Sequence, residues 1–233
     1  MRLKTKILRT LSPFFPWLEI YKNRNNSFAQ EGEDLLILEA MKYKRNGFFV
    51  DVGAHHPFRF SNTYALKSYG WTGINIEPNP TLYQYFCKLR PDDINLNCGI
   101  SNATSNSLTY YEFDEPALNT FSKETCKKRI LEGHQLISEK TVPVTTLSKI
   151  FQKHASDREI DLLSVDVEGL DYDVLTTNNW STVNPKCVLI EDHDFSFDRS
   201  SRIDTFLVSH GYKVVARTLR NSLYVKGYSQ KND

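Results

Sequence analysis

Four short apolar runs in this chain each lead into a carboxylate. FFVDV carries Asp51, TGINIE ends at Glu77, LLSVD ends at Asp166, and CVLIED ends at Glu191 and Asp192. Runs of this length, apolar on both faces, are strands buried on both sides of a sheet. Helix-period segments separate them, so the chain reads as α/β: a mostly parallel sheet with helices on both faces. In such sheets ligands sit in the crevice at the carboxyl ends of the strands. That is where this sequence puts its chemistry: Asp51–Gly53, Glu77, residues 97–99, residues 166–168 and residues 191–193.

The remaining pattern is consistent with that frame. Leu35, Leu36, Leu38 and Met41 give helical spacing within residues 27–44, and Gly47 stops the helix. A strand follows at 48–52, a helix near 62–69, a strand at 71–77, a helix at 81–89 and a strand at 94–99. Residues 107–113 read as a short extended piece. Residues 114–141 are polar and mixed, with no sheet pattern, and read as an insertion forming a loop or partly helical lid. TVPVTTLSKIFQKH is a short strand entering a helix capped by Thr145 or Thr146. Strands end near Asp166 and span 186–192; helices cover 170–175 and 202–210, the latter ended by Gly211. Residues 212–216 and 222–225 pair antiparallel, with Arg220 and Asn221 in the turn. Residues 27–233 therefore read as one domain behind an arm at 1–26.

Composition narrows the class. The 233 residues carry a net charge of +1, so no overall field favours nucleic acid. Cys87, Cys98, Cys126 and Cys187 have no zinc-ligand spacing and fit a reducing compartment, which makes a cytoplasmic location the expectation. The basic, apolar start is interrupted by Pro13, Pro16 and Glu19, unlike a secretory signal. It reads as a loosely packed arm, with membrane-surface contact through Lys4, Lys6, Arg9, Phe14, Phe15 and Trp17 as the alternative.

Gly53 lets the backbone approach a ligand or take a conformation other residues avoid. The dinucleotide pattern GxGxxG is absent, so a pyrophosphate would lack its cradle and a dehydrogenase is disfavoured. Glu77, after the second strand, is placed to accept from two ribose hydroxyls. Together they suit a nucleoside ligand without a pyrophosphate, and S-adenosylmethionine fits that description.

DVGAHHPFRFSNT, GWTGINIEPNP and IDLLSVDVEG, with AQEGEDL upstream, resemble the FkbM family of S-adenosylmethionine-dependent methyltransferases. The resemblance covers roughly residues 27–193. It implies a Rossmann-like sheet of seven strands with the last antiparallel, and O-methylation, frequently of a sugar hydroxyl in a surface glycan or glycolipid. By position it implies Asp51 and Gly53 at the methionine part of the cofactor and Glu77 at the ribose. It sets Asn97 and Cys98 near the adenine, and Gln30, Glu33 and Asn62 at the rim. Relatives often carry glycine at His56 or Pro57, so the tip of the first loop is shaped differently here.

A sugar hydroxyl needs help to lose its proton, and three residues qualify. His193 is the first choice, because an imidazole titrates near neutrality; Asp166 and Glu168 are the others, either orienting the acceptor or acting as base. Capping of the helix at 170–175 is the structural alternative for the two acids. His55 and His56 rank lower and are expected to support the turn. A divalent metal such as Mg²⁺ on Asp166, Glu191 and Asp192 is a minority expectation. The competing functions are methylation of protein or RNA and a non-catalytic scaffold of the same fold; no nucleic acid partner is expected.

Overall fold

A computed structural model describes residues 27–192 and 201–227. The N-terminal arm and His193 lie outside the described residues. The elements run α1 (Glu33–Ala40), β1 (Phe48–Val52), α2 (Tyr64–Lys67), β2 (Thr72–Ile76), α3 (Pro80–Leu89), β3 (Ile94–Leu96), β4 (Gly99–Ile100) and β5 (Ser107–Phe113). A 3₁₀ turn (Pro116–Leu118), α4 (Lys123–Leu131), β6 (Leu136–Thr145) and α5 (Leu147–His154) follow. The chain continues through β7 (Leu162–Val165), α6 (Asp171–Thr176), β8 (Cys187–Glu191), α7 (Arg202–Ser209), β9 (Tyr212–Arg217) and β10 (Asn221–Lys226).

Seven strands form one sheet in the order β3-β2-β1-β7-β8-β10-β9. β1, β2, β3, β7 and β8 pair in parallel, and β10, the last in the chain, runs antiparallel to both neighbours. This is the sheet expected from the sequence.

Strand alternation decides which residues share a face. Phe48, Val50 and Val52 of β1 join Ile74, Ile76, Leu163, Val165, Val188 and Ile190 against α5, α6 and α7. Phe49, Leu162, Leu189 and Leu223 pack on the other face against Ile37 and Leu38 of α1 and Leu66 of α2. Counting by twos from this second set reaches Asp51, Asp166, Glu191 and Asn221. The strand-tip polar groups therefore emerge together on the α1–α2 side.

Two elements differ from the sequence expectation. Residues 114–141 are not a loop or lid throughout: β6 occupies 136–145 and pairs antiparallel along all of β5, and β4 pairs with β6 in parallel. The first half of the strand escapes a periodicity reading because its residues are half-buried or exposed, with Ile137 on the outside. Asn221 is not in the final turn but opens β10, opposite Glu191.

A buried ionic network lies beneath β1. Arg90 and Asp93 are paired at 2.8 Å with side chains almost wholly enclosed. Asp93 also accepts from Lys67 Nζ, the Gly73 N–H and Asn75 Nδ2, while Arg90 Nη1 donates to Thr63 Oγ1. Thr63 Oγ1 in turn donates to Asp51. Removing the guanidinium leaves a buried carboxylate short of its main partner. Arg90→Met is expected to cost about 3 kcal/mol, read as a lower urea midpoint with an unchanged slope.

Candidate active site

The strand tips open into a hollow of about 840 Å³, counted to the solvent at its mouth. Asp51, Gly53, Glu77, Asp166 and Glu168 line one side, with Gln30, Glu33, Asn62 and Asn221 at its edge. His55 and Phe60 from the loop after β1 form another wall. The insertion also lines it, through Pro116, Ala117, Asn119, Thr120 and Phe121, with Tyr110 of β5.

Gly53 sets how closely the tips of β1 and β7 approach. Its φ is +76°, and a Cβ there would stand 1.8 Å from the Asp166 carbonyl oxygen. Both the left-handed backbone and the contact require glycine.

Glu77, Asp51 and Glu168 are each held by local partners. Glu77 is buried and accepts from the His55 N–H at 2.8 Å and the Asn79 N–H at 2.7 Å. Burial nevertheless pushes its carboxyl up to about 8, against the pull of those two bonds. Burial also raises Asp51, opposed by Thr63 and Arg90. Asp166 is raised well above the usual range by desolvation and by the neighbouring charges of Glu191 and Glu168. Glu168, at φ +58°, is paired with Arg129 of α4, and its carbonyl accepts from Thr120 Oγ1 at 3.2 Å. The loop between β7 and α6 is held by Asp171, which accepts from the Val167 and Gly169 N–H groups at 3.0 and 3.1 Å. Asp171, not Asp166 or Glu168, therefore fills the turn-holding role that capping would have given those two acids.

The sequence model of the methyltransferase FkbM domain matches residues 51–214. The chain belongs to that family. No match is found among curated proteins. Among solved structures the chain is similar to precorrin-6y C5,15-methyltransferase from Geobacter metallireducens GS-15, at 12% identity and a TM-score of 0.40, over 82% of this chain and 86% of that one. That likeness is too distant to bear on the site.

As an FkbM-family member the protein is an S-adenosylmethionine-dependent methyltransferase, and the hollow suits that cofactor. Gly53 brings its backbone to the hollow while the place of its missing Cβ is taken by the Asp166 carbonyl, and Glu77 lines the same space with a buried carboxyl group. The structure brings Asp51, Gly53, Asn62, Glu77, Asp166 and Glu168 to one hollow, with Gln30 and Glu33. It does not bring Asn97 there. Asn97 Nδ2 donates to the Glu77 and Pro78 carbonyls at 2.8 and 3.0 Å, fixing the loop that carries Glu77. Cys98 lies in a small adjoining recess with Gly99, Ile100 and Leu170.

The adjacent histidines divide their work. His56 Nδ1 accepts from the Phe58 and Arg59 N–H groups, both at 3.1 Å, and supports the turn as expected. His55 lines the hollow; burial lowers its imidazole to about 3, so it stays neutral, and its Nε2 is buried without a partner among the described residues. Asp192 parts from the other acids, because adjacent strand residues face opposite ways. Its carboxylate accepts from Ser201 Oγ at 2.5 Å, at the start of α7.

Sequence reasoning missed Asn119, Thr120 and Asn221. The first two lie in a stretch without a regular pattern, and the third was assigned to a turn.

Gly53→Ala is expected to abolish binding of S-adenosylhomocysteine by calorimetry and to lower the melting temperature. Glu77 gives a pH signature. Its folded value lies above 4.5, so its contribution to the stability of the cofactor-free protein is full below about 4.5 and lost as pH rises through about 8. Melting curves at pH 5 and pH 9 should therefore differ more for the wild type than for Glu77→Gln. Ribose hydroxyls donate to the ionised form, so S-adenosylhomocysteine affinity should rise with pH towards about 8 in the wild type and stay flatter in Glu77→Gln.

Proposed function

We propose that the chain O-methylates a sugar hydroxyl of a glycan, glycolipid or nucleotide sugar. The observation that carries this reading is the mixed lining of the hollow, which joins acidic groups able to accept from hydroxyl donors with the aromatic residues Tyr110 and Phe121. At the mouth, Phe60 is 37% exposed, stacks near His55 with ring centroids 6.2 Å apart, and carries the Arg59 guanidinium 4.2 Å from its ring centre. Apolar faces beside convergent polar groups suit a polyol, whose C–H faces pack on rings while its hydroxyls find acceptors.

When bound, S-adenosylmethionine supplies a methyl carbon already activated by its sulfonium sulfur. In this reading Asp51 and Gly53 hold the methionine end and Glu77 the ribose. Asp166 and Glu168 orient the acceptor hydroxyl, and His193, two residues beyond Glu191, takes its proton. Positioning by the walls supplies much of the acceleration.

Protein or RNA is the less favoured acceptor. The Asn/Asp-Pro-Pro-aromatic loop common in amino-directed enzymes acting on nucleic acid is missing from the sequence. The four cysteines are free thiols, in keeping with a reducing cytoplasm, and no helix among the described residues is long and apolar enough to cross a membrane.

The test uses the purified full chain, a donor labelled in its methyl group, and a panel of nucleotide sugars and cell-envelope glycans. Label should appear in an alkali-stable ether on a sugar carbon; label appearing only on protein or RNA overturns the reading. His193→Ala should lower kcat by about 10²–10⁴-fold with S-adenosylhomocysteine affinity retained. Undiminished turnover in that variant would remove His193 from the mechanism.

A further inference from the structure

We propose that Asp166, Glu168, Glu191 and Asn221 form a binding site for a divalent cation of the Mg²⁺ or Mn²⁺ type, at the end of the hollow where the acceptor oxygen enters. The site would rest on two elements beyond the loop after β7: the end of β8 and the first residue of β10.

Three observations converge on it. Asp166, Glu168 and Glu191 each offer a carboxylate oxygen, and the three oxygens lie within 4.8 Å of one another. Opposite ligands on Mg²⁺, with bonds of about 2.1 Å, stand about 4.2 Å apart, so one ion can bridge the group once the carboxylates draw in by a few tenths of an ångström. The second observation is independent of the acids. Asn221 is 92% buried, lines the same hollow as Asp166 and Glu168, and is the direct cross-strand partner of Glu191, so both side chains leave the same face of the sheet. Its Nδ2 donates to Glu33 Oε1 at 2.9 Å. Glu33 can only accept there, which fixes the amide orientation and leaves Oδ1 turned away from Glu33. That oxygen is buried and has no partner among the described residues. An amide acceptor set beside three carboxylates asks for a cation. The third observation is the donor set itself: four hard oxygens and no nitrogen or sulfur, the preference of Mg²⁺, Mn²⁺ and Ca²⁺.

Arg129 reaches Glu168 from α4 and pairs with one of its oxygens. Asp192, a ligand in the sequence expectation, is excluded: its carboxylate is engaged at the start of α7, and Glu168 takes its place.

The purpose assigned to the ion rests on the O-methyltransferase reading: a hydroxyl bound to the cation loses its proton more readily, and its oxygen is fixed in place. The site itself does not depend on that reading.

The test is titration of the metal-stripped full chain with Mn²⁺, followed by electron paramagnetic resonance and calorimetry, with and without S-adenosylhomocysteine. One Mn²⁺ per chain is expected, weakened about tenfold or more in Asp166→Asn, Glu191→Gln and Asn221→Leu, and unchanged in Asp192→Asn. S-Adenosylhomocysteine binding in Glu191→Gln shows that the variant is folded. Turnover should fall on dialysis against EDTA and return with Mg²⁺ or Mn²⁺. Wild type that binds Mn²⁺ no better than Glu191→Gln overturns the proposal, as does turnover undiminished in EDTA. Competition between Mn²⁺ and S-adenosylhomocysteine also overturns it, because the acids would then serve the cofactor's ammonium group. If Mn²⁺ binds but no sugar is methylated, the acceptor reading fails and the cation site stands.

Discussion

The tips of β1 and β7 approach so closely that Gly53 has no room for a Cβ against the carbonyl of Asp166. That contact fixes the spacing of the two central strand ends, and the hollow is the space left beside it. A residue with any side chain at position 53 would have to push the β7 loop away. Asp166 and Glu168 move with that loop, and Glu168 is tied through Thr120 and Arg129 to the insertion. One hydrogen atom in place of a methyl group thus sets the relation between the cofactor side of the site and the side that faces the acceptor.

Gathering carboxylates in a desolvated place is costly unless each is compensated. The structure uses different partners for the acids it compensates. Backbone N–H groups serve Glu77 and Asp171, a hydroxyl serves Asp51, and a guanidinium serves Glu168. The Asp51 arrangement reaches furthest, through Thr63 to Arg90 and Asp93 beneath the sheet. Stability of the core and the electrostatics of the site are therefore linked through one threonine hydroxyl.

The sheet was legible because its strands are apolar on both faces and end in charge, a pattern that survives without tertiary information. Asp51, Gly53, Glu77 and Asp166 could be placed because strand tips converge in any parallel sheet of this kind. Position alone does not say whether the side chain of Asn97 faces the hollow or turns back to hold a loop; here two carbonyl acceptors draw it back. Asp192 was grouped with Glu191 because adjacency in sequence hides the alternation of a strand. Only the second half of β6, within TVPVT, reads as a strand; residues 136–140 do not, because their order comes from pairing with β5, a contact between distant residues, and not from their own pattern. Asn221 was hidden for a related reason, since its role depends on register with a strand thirty residues earlier.

Arg59 and Glu115 form a two-pronged ion pair, at 3.1 and 3.2 Å, that joins the loop after β1 to the start of the insertion. The two halves of the wall thereby belong to separate pieces of chain fastened at the rim by one exchangeable clasp. A segment exchanged behind Glu115 would meet the first loop at this pair, apart from the bonds that hold Asp51 and Glu77.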